Sequence, residues 1–581
     1  MTTLDAHPTA HTDEAASATA SRRRSHAARP VRPAHSRPFN ALRGLAPLIA
    51  VAIPTGMTGL HALLYGRWIV DDAAITFAYA RSITTGAGPT LQVGAAPVEG
   101  YSNPAWLAIL TVGRWLGLFD RGTWFGVPDY VTFPKLVALI CCCGIFAGFF
   151  AAARAVTSSP VLTTISAGVI TAAVPAFVIW CFSGLENSLL ALCTVWIGAI
   201  LVRAVAAGRL LSTSTAVWCG TLAAVAALTR PDGLIYAAAF PAAALLLLRR
   251  ETLGRAVAAS AISVAAFAAP VGAYLGWRIA TFGEYLPNTA LAKSQGLPGP
   301  QGLARPGELL GYAGWLAALL GAIMVGAALA PQSRESRGLT VLLVPLGLAL
   351  VAFGVLQPDW MGQYRFATPV WPLAALAGTL AAAQVVPRLQ GRGRTAVALA
   401  ACAATLVSGV TLASQARAFR ANPTAPLCLV VQNTGYNVAG YARIVDTPHA
   451  TVLAPDIGGA ALSSRVEIVD LAGLASARIA GYWRTANWQG LRDYVFDEVR
   501  PTFIKSHDGW STTTGLTADP RLAAAYAEIG STAGTTDWVR RDALRETTLS
   551  ALRAYHAEVA APADRRARDA PRSSCGDVLR P

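Results

Sequence analysis

The chain has 581 residues, of which 54% are hydrophobic and only 14% are charged. Soluble globular proteins carry about 25% charged residues, so this composition excludes an ordinary soluble, disordered or collagen-like chain and indicates a polytopic membrane protein. The net charge is +15, but the basic excess lies before residue 421 and therefore reports membrane topology. We expect no nucleic acid as a partner.

Residues 1–42 are rich in Ala, Ser, Pro and Arg and lack hydrophobic periodicity, which predicts a disordered basic tail. About eleven apolar runs of roughly spanning length follow. They lie at 45–64, 134–153, 161–181, 187–205, 212–229, 234–248, 255–276, 309–330, 339–356, 369–386 and 395–413. A shorter run, 104–118, contains Arg114 and is ambiguous by length alone.

The basic loops decide the expected topology. Arginines cluster at 203–209, 249–255, 334–337 and 388–394, and cytoplasmic loops carry the excess of Lys and Arg. All four loops are cytoplasmic if the N-terminus is inside and 104–118 does not cross the membrane. The sequence therefore predicts a membrane domain at 43–418, a first external loop at about 66–133, and an extracytoplasmic C-terminal domain at 419–581.

Acidic residues of the membrane domain gather on the predicted outer side. Asp71 and Asp72 follow the first span directly, and carboxylates at a membrane boundary are costly and tend to mark sites. Two adjacent carboxylates at the mouth of a membrane cavity can serve as a general base and an orienting acceptor, or hold a divalent cation. The segment after them has apolar residues at helical spacing, which favours a short amphipathic helix on the membrane surface.

Further polar motifs follow on the same side. They are Glu99-Gly-Tyr-Ser-Asn103, Ser183-Gly-Leu-Glu186, Arg230-Pro-Asp-Gly233, Leu286-Pro-Asn288-Thr-Ala-Leu-Ala-Lys293 and Asp359-Trp-Met-Gly-Gln-Tyr-Arg365-Phe366. Arg365 can clamp a phosphate or anchor to lipid headgroups. Lys293 can bind an anion or snorkel, and Arg230 can form an ion pair with Asp232 at a helix end.

In this order, the motifs resemble those of GT-C glycosyltransferases, and within that superfamily the mycobacterial terminal arabinofuranosyltransferases and their relatives. The resemblance covers about residues 45–370. It implies a polyprenyl-phosphate sugar donor, a site on the outer membrane face, and a first-loop acid, here Asp71 or Asp72, as the catalytic base or the acceptor-binding residue. We lean to Asp71. The donor phosphate and substrates are then expected at Arg365, Lys293, Asn288, Glu186, Asp359, Glu99 and Arg230.

These features predict a plasma-membrane enzyme that transfers a sugar to a cell-envelope glycan. Arabinofuranose is the first expectation and mannose the alternative. A transporter or flippase of lipid-linked sugars is the rival from another class, although it predicts acids near the bilayer midplane rather than at one face. No Walker-type or dinucleotide-binding motif appears. The sequence identifies no cofactor, and a divalent cation held by the acids stays an alternative.

The region 419–581 is more charged and contains short strand-like runs, which predicts a small α/β domain. The expected strands are 427–431, 451–454, 466–469 and 502–505, and the expected helices are 488–499, 519–529 and 539–559. Asp456-Ile-Gly-Gly459 is interpreted as a turn. Cys428 and Cys575 flank the domain, so they form either a disulfide bond or two independent thiols.

Overall fold

The computed structural model describes residues 37–293, 299, 302, 304–447 and 449–580, without the side chains of 37–43 and Asp508. The predicted tail lies outside the described residues up to residue 36, and residues 37–42 begin the first helix. Residues 46–581 form one compact unit. Within it, helices occupy the first 421 residues, and a mixed sheet with its helices lies near the C-terminus, as the sequence predicts.

The membrane part is built from helices of very different lengths. In chain order they are α1 (Arg37–Leu63), α2 (Asp71–Thr84), α3 (Pro104–Trp115), α4 (Asp129–Val156), α5 (Pro160–Ala173), α6 (Pro175–Cys181), α7 (Asn187–Ala206), α8 (Thr213–Thr229), α9 (Ala239–Leu246), α10 (Leu253–Phe282), α11 (Asn288–Lys293), α12 (Pro306–Ala313), α13 (Trp315–Leu329), α14 (Arg334–Val355), α15 (Val370–Val385) and α16 (Gly391–Ala421). A 3₁₀ segment, Pro231–Ala238, leads into α9.

Seven helices in the described part of the chain are long and apolar enough to cross a membrane: α1, α4, α7, α10, α14, α15 and α16. The count is nine if each bent pair is one span, since α5 and α6 meet at 79° and α12 and α13 at 109°. The other two predicted runs form the shorter apolar helices Thr213–Thr229 and Pro231–Leu246. At 17 residues α8 rises about 25 Å, near the thickness of a bilayer core, so eleven spans stay a prediction.

The predicted first external loop contains α2, α3 and a two-stranded hairpin of β1 (Thr123–Trp124) and β2 (Val127–Pro128). The ambiguous run is α3, whose 12 residues rise only about 18 Å and are too few to cross a bilayer. The expected amphipathic character of α2 is wrong. The helix is buried on nearly all sides, because its small side chains let α3 and the C-terminal domain pack closely against it. Its place at the membrane surface stays a prediction.

The C-terminal domain is built on a five-stranded sheet of order β4-β3-β5-β7-β6. Its strands are β3 (Thr451–Ala454), β4 (Glu467–Asp470), β5 (Phe503–His507), β6 (Tyr526–Thr532) and β7 (Thr535–Arg540). The first three are parallel, and β5, β7 and β6 are antiparallel. Its helices are α17 (Leu427–Val430), α18 (Asn437–Val445), α19 (Gly458–Ser463), α20 (Ala477–Thr485), α21 (Trp488–Asp493), α22 (Asp508–Thr514), α23 (Pro520–Ala525), α24 (Thr548–Tyr555) and α25 (Ala561–Asp569).

Three of the expected elements of this domain are wrong. Residues 427–431 are helical, and the predicted helices 519–529 and 539–559 are interrupted by the hairpin of β6 and β7. Ala533 and Gly534 join these strands, and both have positive φ, 49° and 82°. This is the backbone of a type I′ hairpin turn. The alanine-rich run before β6 obscures the strand pattern of this hairpin in the sequence, because alanine favours helices.

The structure joins Cys428 and Cys575 in a disulfide bond, with Cα atoms 5.1 Å apart and 147 residues apart in sequence. In the chain-entropy model, opening so long a loop costs about 5 kcal/mol. We therefore expect the paired substitution Cys428→Ser/Cys575→Ser to lower the thermal unfolding temperature markedly. Cys402→Ser, at an exposed free cysteine, is the matched control and should leave it unchanged. Equal unfolding temperatures for all three proteins would contradict a stabilising role for the bond.

Candidate active site

The two first-loop acids begin helix α2, and the structure gives them different surroundings. Asp71 is 4% exposed. Its carboxylate accepts hydrogen bonds from the backbone N–H groups of Gly458 (3.1 Å) and Gly459 (2.7 Å) in the C-terminal domain. A Cβ atom on Gly458 would lie 2.1 Å from the backbone oxygen of Asp71, so this close approach requires glycine. Asp71 therefore ties the first loop to the C-terminal domain.

Asp72 lies about 100° further around the helix. Protein surrounds it, yet its side chain is partly accessible to solvent. Burial raises the pKa of its carboxyl group, while the nearby charges of Lys293 and Arg365 lower that pKa. Within the part of the chain that the structure describes, no group donates a hydrogen bond to Asp72. Its oxygens are available to a ligand.

Lys293 ends helix α11 and lies near Asp72 and Arg365. Its side chain is accessible to solvent. Burial by the surrounding protein lowers the pKa of its ammonium group, and the charge of Asp72 raises that pKa. The two groups thus stabilise one another's charge.

Arg365 is held by a bidentate ion pair with Asp359. Its Nε lies 2.7 Å from Oδ2 and its Nη2 donates to Oδ1 at 3.2 Å. The residues before it, Gly362, Gln363 and Tyr364, all have positive φ, at 71°, 49° and 48°. Backbone strain of this kind clusters at functional sites. Here the strained turn carries the guanidinium to the wall of a cavity.

A second ion-pair group supports that wall. Arg230 contacts Glu186 at 3.2 Å and Asp232 at 2.8 Å, so the expected pair with Asp232 is present and Glu186 extends it. The other oxygen of Glu186 accepts from Asn103 at 2.7 Å. The Phe366 ring links the two groups, because the Arg230 and Arg365 guanidinium carbons lie 4.7 and 4.9 Å from its centroid.

Glu99 and Asn288 join elements around the site. Glu99 accepts hydrogen bonds from Tyr274 Oη (2.6 Å) and Arg278 Nε (2.5 Å) of α10. The Asn288 side chain donates to the backbone oxygens of Gly473 (2.7 Å) and Leu474 in the C-terminal domain. The backbone N–H of Asn288 donates to the backbone carbonyl oxygen of Glu99. These bonds fix α11, and therefore Lys293, in place.

The C-terminal domain contributes two residues that the sequence interpretation missed. Asp456 follows β3 and His507 ends β5, and their side chains pair at 2.8 Å. Asp456 lies close enough to raise the pKa of both Asp71 and Asp72. The positions of Asp456 and His507 after predicted strands could have indicated this role, since the carboxyl ends of neighbouring parallel strands converge and commonly bind ligands. Gly458 and Gly459, interpreted from sequence as part of a turn, begin helix α19 and are the partners of Asp71.

The residues present do not fit a divalent cation shared by Asp71 and Asp72. Both Asp71 oxygens already accept backbone hydrogen bonds, and the charges beside Asp72 include the cations of Lys293 and Arg365. Among the described residues, no group of three or more His, Cys, Asp or Glu has the arrangement of a metal site.

A cavity of about 780 Å³ adjoins Arg365. The end of α14, the strained turn and part of α12 line it, and aromatic and aliphatic side chains such as Phe353 and Leu356 alternate with the charged Arg305 and Glu308. Charged and apolar side chains in one cavity suit an amphipathic ligand.

No protein-family model matches the sequence, and no curated protein matches it. Solved structures do. ArnT from Cupriavidus metallidurans bound to undecaprenyl phosphate is 15% identical, with a TM-score of 0.51 over 87% of this chain and 99% of that one. The Archaeoglobus fulgidus oligosaccharyltransferase is 11% identical, with a TM-score of 0.53 over 84% and 73%.

This chain has the GT-C fold. A further match is the oligosaccharyltransferase AglB from Archaeoglobus fulgidus in complex with an inhibitory peptide and a dolichol-phosphate. It is 12% identical, with a TM-score of 0.51 over 89% of this chain and 78% of that one. The GT-C fold confirms the predicted fold class, a helical multi-pass membrane protein with a C-terminal α/β region.

Proposed function

We propose that this GT-C chain is a glycosyltransferase that moves a sugar from a polyprenyl phosphate to a hydroxyl group of a cell-envelope glycan. One observation carries the proposal. Of the expected site acids, Glu99, Glu186, Asp359 and Asp71 are held by protein donors, whereas Asp72 lies near the cations of Lys293 and Arg365 and has no protein donor among the described residues. A carboxylate so placed can accept a proton from a substrate.

The chemistry divides between the two sides of the site. The cations of Lys293 and Arg365 bind the donor phosphate and stabilise the charge that grows on it as the bond to the sugar breaks. Asp72 accepts the proton of the acceptor hydroxyl while that oxygen bonds to the anomeric carbon. Polyprenyl phosphate leaves, and the sugar becomes part of the glycan.

The donor lipid is assigned to the 780 Å³ cavity beside Arg365. A polyprenyl phosphate has one charged group and a long apolar chain, which matches the charged and apolar parts of this wall. Two structural neighbours support this class of donor, because one was solved with undecaprenyl phosphate and another with dolichol-phosphate.

We assign the acceptor to the wall formed by the C-terminal domain, opposite the cations. Asp456 and His507 offer polar atoms near Asp72, and sugar hydroxyls both donate and accept hydrogen bonds. The site is placed on the outer face of the plasma membrane with the N-terminus inside. The disulfide bond supports an external C-terminal domain, since such bonds persist in oxidising compartments.

Arabinofuranose is the proposed sugar, on the strength of the sequence motifs, and mannose is the alternative. Purified protein in liposomes should be given radiolabelled arabinofuranose or mannose on polyprenyl phosphate, with a cell-envelope glycan as acceptor. We expect the higher kcat/KM with arabinofuranose. A preference for mannose would support the alternative, whereas movement of labelled lipid across the bilayer without transfer would support a flippase.

The proposed topology makes a prediction that can be tested without substrate. Single cysteines placed at Val93 and Glu251, both exposed, should be modified by a membrane-impermeant thiol reagent from opposite sides. In intact cells we expect labelling at position 93 and none at position 251 until the membrane is permeabilised. The reverse pattern would contradict the assigned orientation.

The charges around Asp72 predict a shift in pH dependence. Lys293 and Arg365 lower its pKa, while Asp359 and Asp456 raise it. Replacing Lys293 by Met therefore raises that pKa. The base acts only when it is ionised. When the solution is acidified, kcat should therefore begin to fall at a higher pH in the variant than in the wild type. Lys293→Arg should restore the wild-type profile. An unchanged acid limb in Lys293→Met would show that Asp72 is not the titrating base.

A further inference from the structure

Three arginines surround a cavity far along the spanning helices from the proposed active site. The cavity has a volume of about 490 Å³ and lies between the ends of α4, α7 and the start of α8. Arg154, Arg203 and Arg209 line it. All three belong to the face that the positive-inside rule places in the cytoplasm.

These arginines differ from the arginines of the proposed active site in their ion pairing. Arg230, Arg278 and Arg365 each have a carboxylate partner. Within the described residues, Arg154, Arg203 and Arg209 have no ion-pair partner, and no acid lines their cavity. Three positive charges around one concave space leave the cavity complementary to an anion.

The rest of the lining indicates which kind of anion. Besides the guanidinium groups, the wall consists mainly of alanines, whose small side chains leave the space open, together with Ile200, Trp218, Ser214 and Thr215. Trp218 is 58% exposed, and tryptophan concentrates where lipid headgroups meet acyl chains. A free phosphate would use only the charged part, whereas a phospholipid would use both.

We infer that this cavity binds the headgroup of an anionic phospholipid from the inner leaflet. The three guanidinium groups contact the phosphate and neutralise its charge, and the alanine wall and Trp218 contact the glycerol and the first acyl carbons. Basic pockets between transmembrane helices on the cytoplasmic side commonly bind such headgroups. The inference does not depend on the proposed sugar transfer.

Native mass spectrometry of the full-length protein tests this inference. The protein is equilibrated with phosphatidylglycerol or phosphatidylcholine, and retained lipid is counted. Wild type should retain one phosphatidylglycerol at the cavity and should show no corresponding retention of phosphatidylcholine. At about 1 kcal/mol for each basic side chain, the triple variant Arg154→Gln/Arg203→Gln/Arg209→Gln should bind phosphatidylglycerol on the order of 100-fold more weakly.

Two matched variants separate the cavity from general basicity. Arg334→Gln/Arg337→Gln/Arg392→Gln removes three exposed arginines from the same predicted face, outside this cavity, and should bind like wild type. Ala155→Trp keeps all three arginines but fills the space, and should lose the lipid. Equal retention by wild type and the cavity triple variant, equal losses in both triple variants, or displacement of phosphatidylglycerol by millimolar inorganic phosphate would overturn the inference.

Discussion

Replacing Asp72 by Asn is expected to reduce kcat by about 10²–10⁴-fold, the usual contribution of a general base. The substitution keeps the size of the side chain and removes its capacity to accept a proton. Folding should be unaffected, because no described residue donates a hydrogen bond to Asp72. The measurement is kcat for sugar transfer, together with the thermal unfolding temperature of the same preparation.

Asp71→Asn is the matched control for that substitution, one residue away. An asparagine can accept only one of the two glycine N–H bonds, and one buried unsatisfied donor costs about 1–3 kcal/mol. We therefore expect a lower unfolding temperature and a kcat within about tenfold of wild type in the folded protein. The opposite pattern, with Asp71→Asn inactive but stable and Asp72→Asn active, would assign the base to Asp71.

Replacing Arg365 by Gln should produce the second large effect. The change removes a cation from the proposed phosphate site and leaves Asp359 buried without its bidentate partner. Breaking a buried ion pair from one side costs about 3–5 kcal/mol. We expect both weaker donor binding and a lower unfolding temperature, measured by titration with polyprenyl phosphate and by thermal unfolding.

A double variant separates these two consequences. In Arg365→Gln/Asp359→Asn no charge is left buried and unpaired, so stability should return towards that of wild type. Donor binding should stay weak, because the cation is still missing. If donor binding recovered together with stability, Arg365 would be a structural residue and the phosphate would have to bind elsewhere.

The membrane fold could be predicted because its signals are local. Each apolar run predicts one helix, and the basic loops predict how the helices are oriented in the membrane. The six outer motifs also predicted the site residues by type. The separate surroundings of Asp71 and Asp72 could not be predicted, since they depend on the backbone N–H groups of Gly458 and Gly459, almost four hundred residues later in the chain.

In the C-terminal domain, too, local patterns could be predicted and long-range contacts could not. The parallel strands β3, β4 and β5 were predicted within a residue or two because they are short apolar runs between polar turns. The hairpin of β6 and β7 was missed because the alanine-rich helix α23 runs directly into β6, and the pairing of β7 with β5 cannot be seen from one segment of sequence. Asp456 and His507 reach the site only because β3 and β5 are parallel neighbours, which no single segment reveals.

The most direct test is the stoichiometry of one reaction. Purified wild-type protein in liposomes is given polyprenyl-phosphate arabinofuranose and a cell-envelope glycan, and both products are measured by mass spectrometry. We predict that one polyprenyl phosphate is released for each arabinofuranose added to the glycan, and that Asp72→Asn forms neither product. Folded wild-type protein that released no polyprenyl phosphate from either the arabinofuranose or the mannose donor would contradict this prediction.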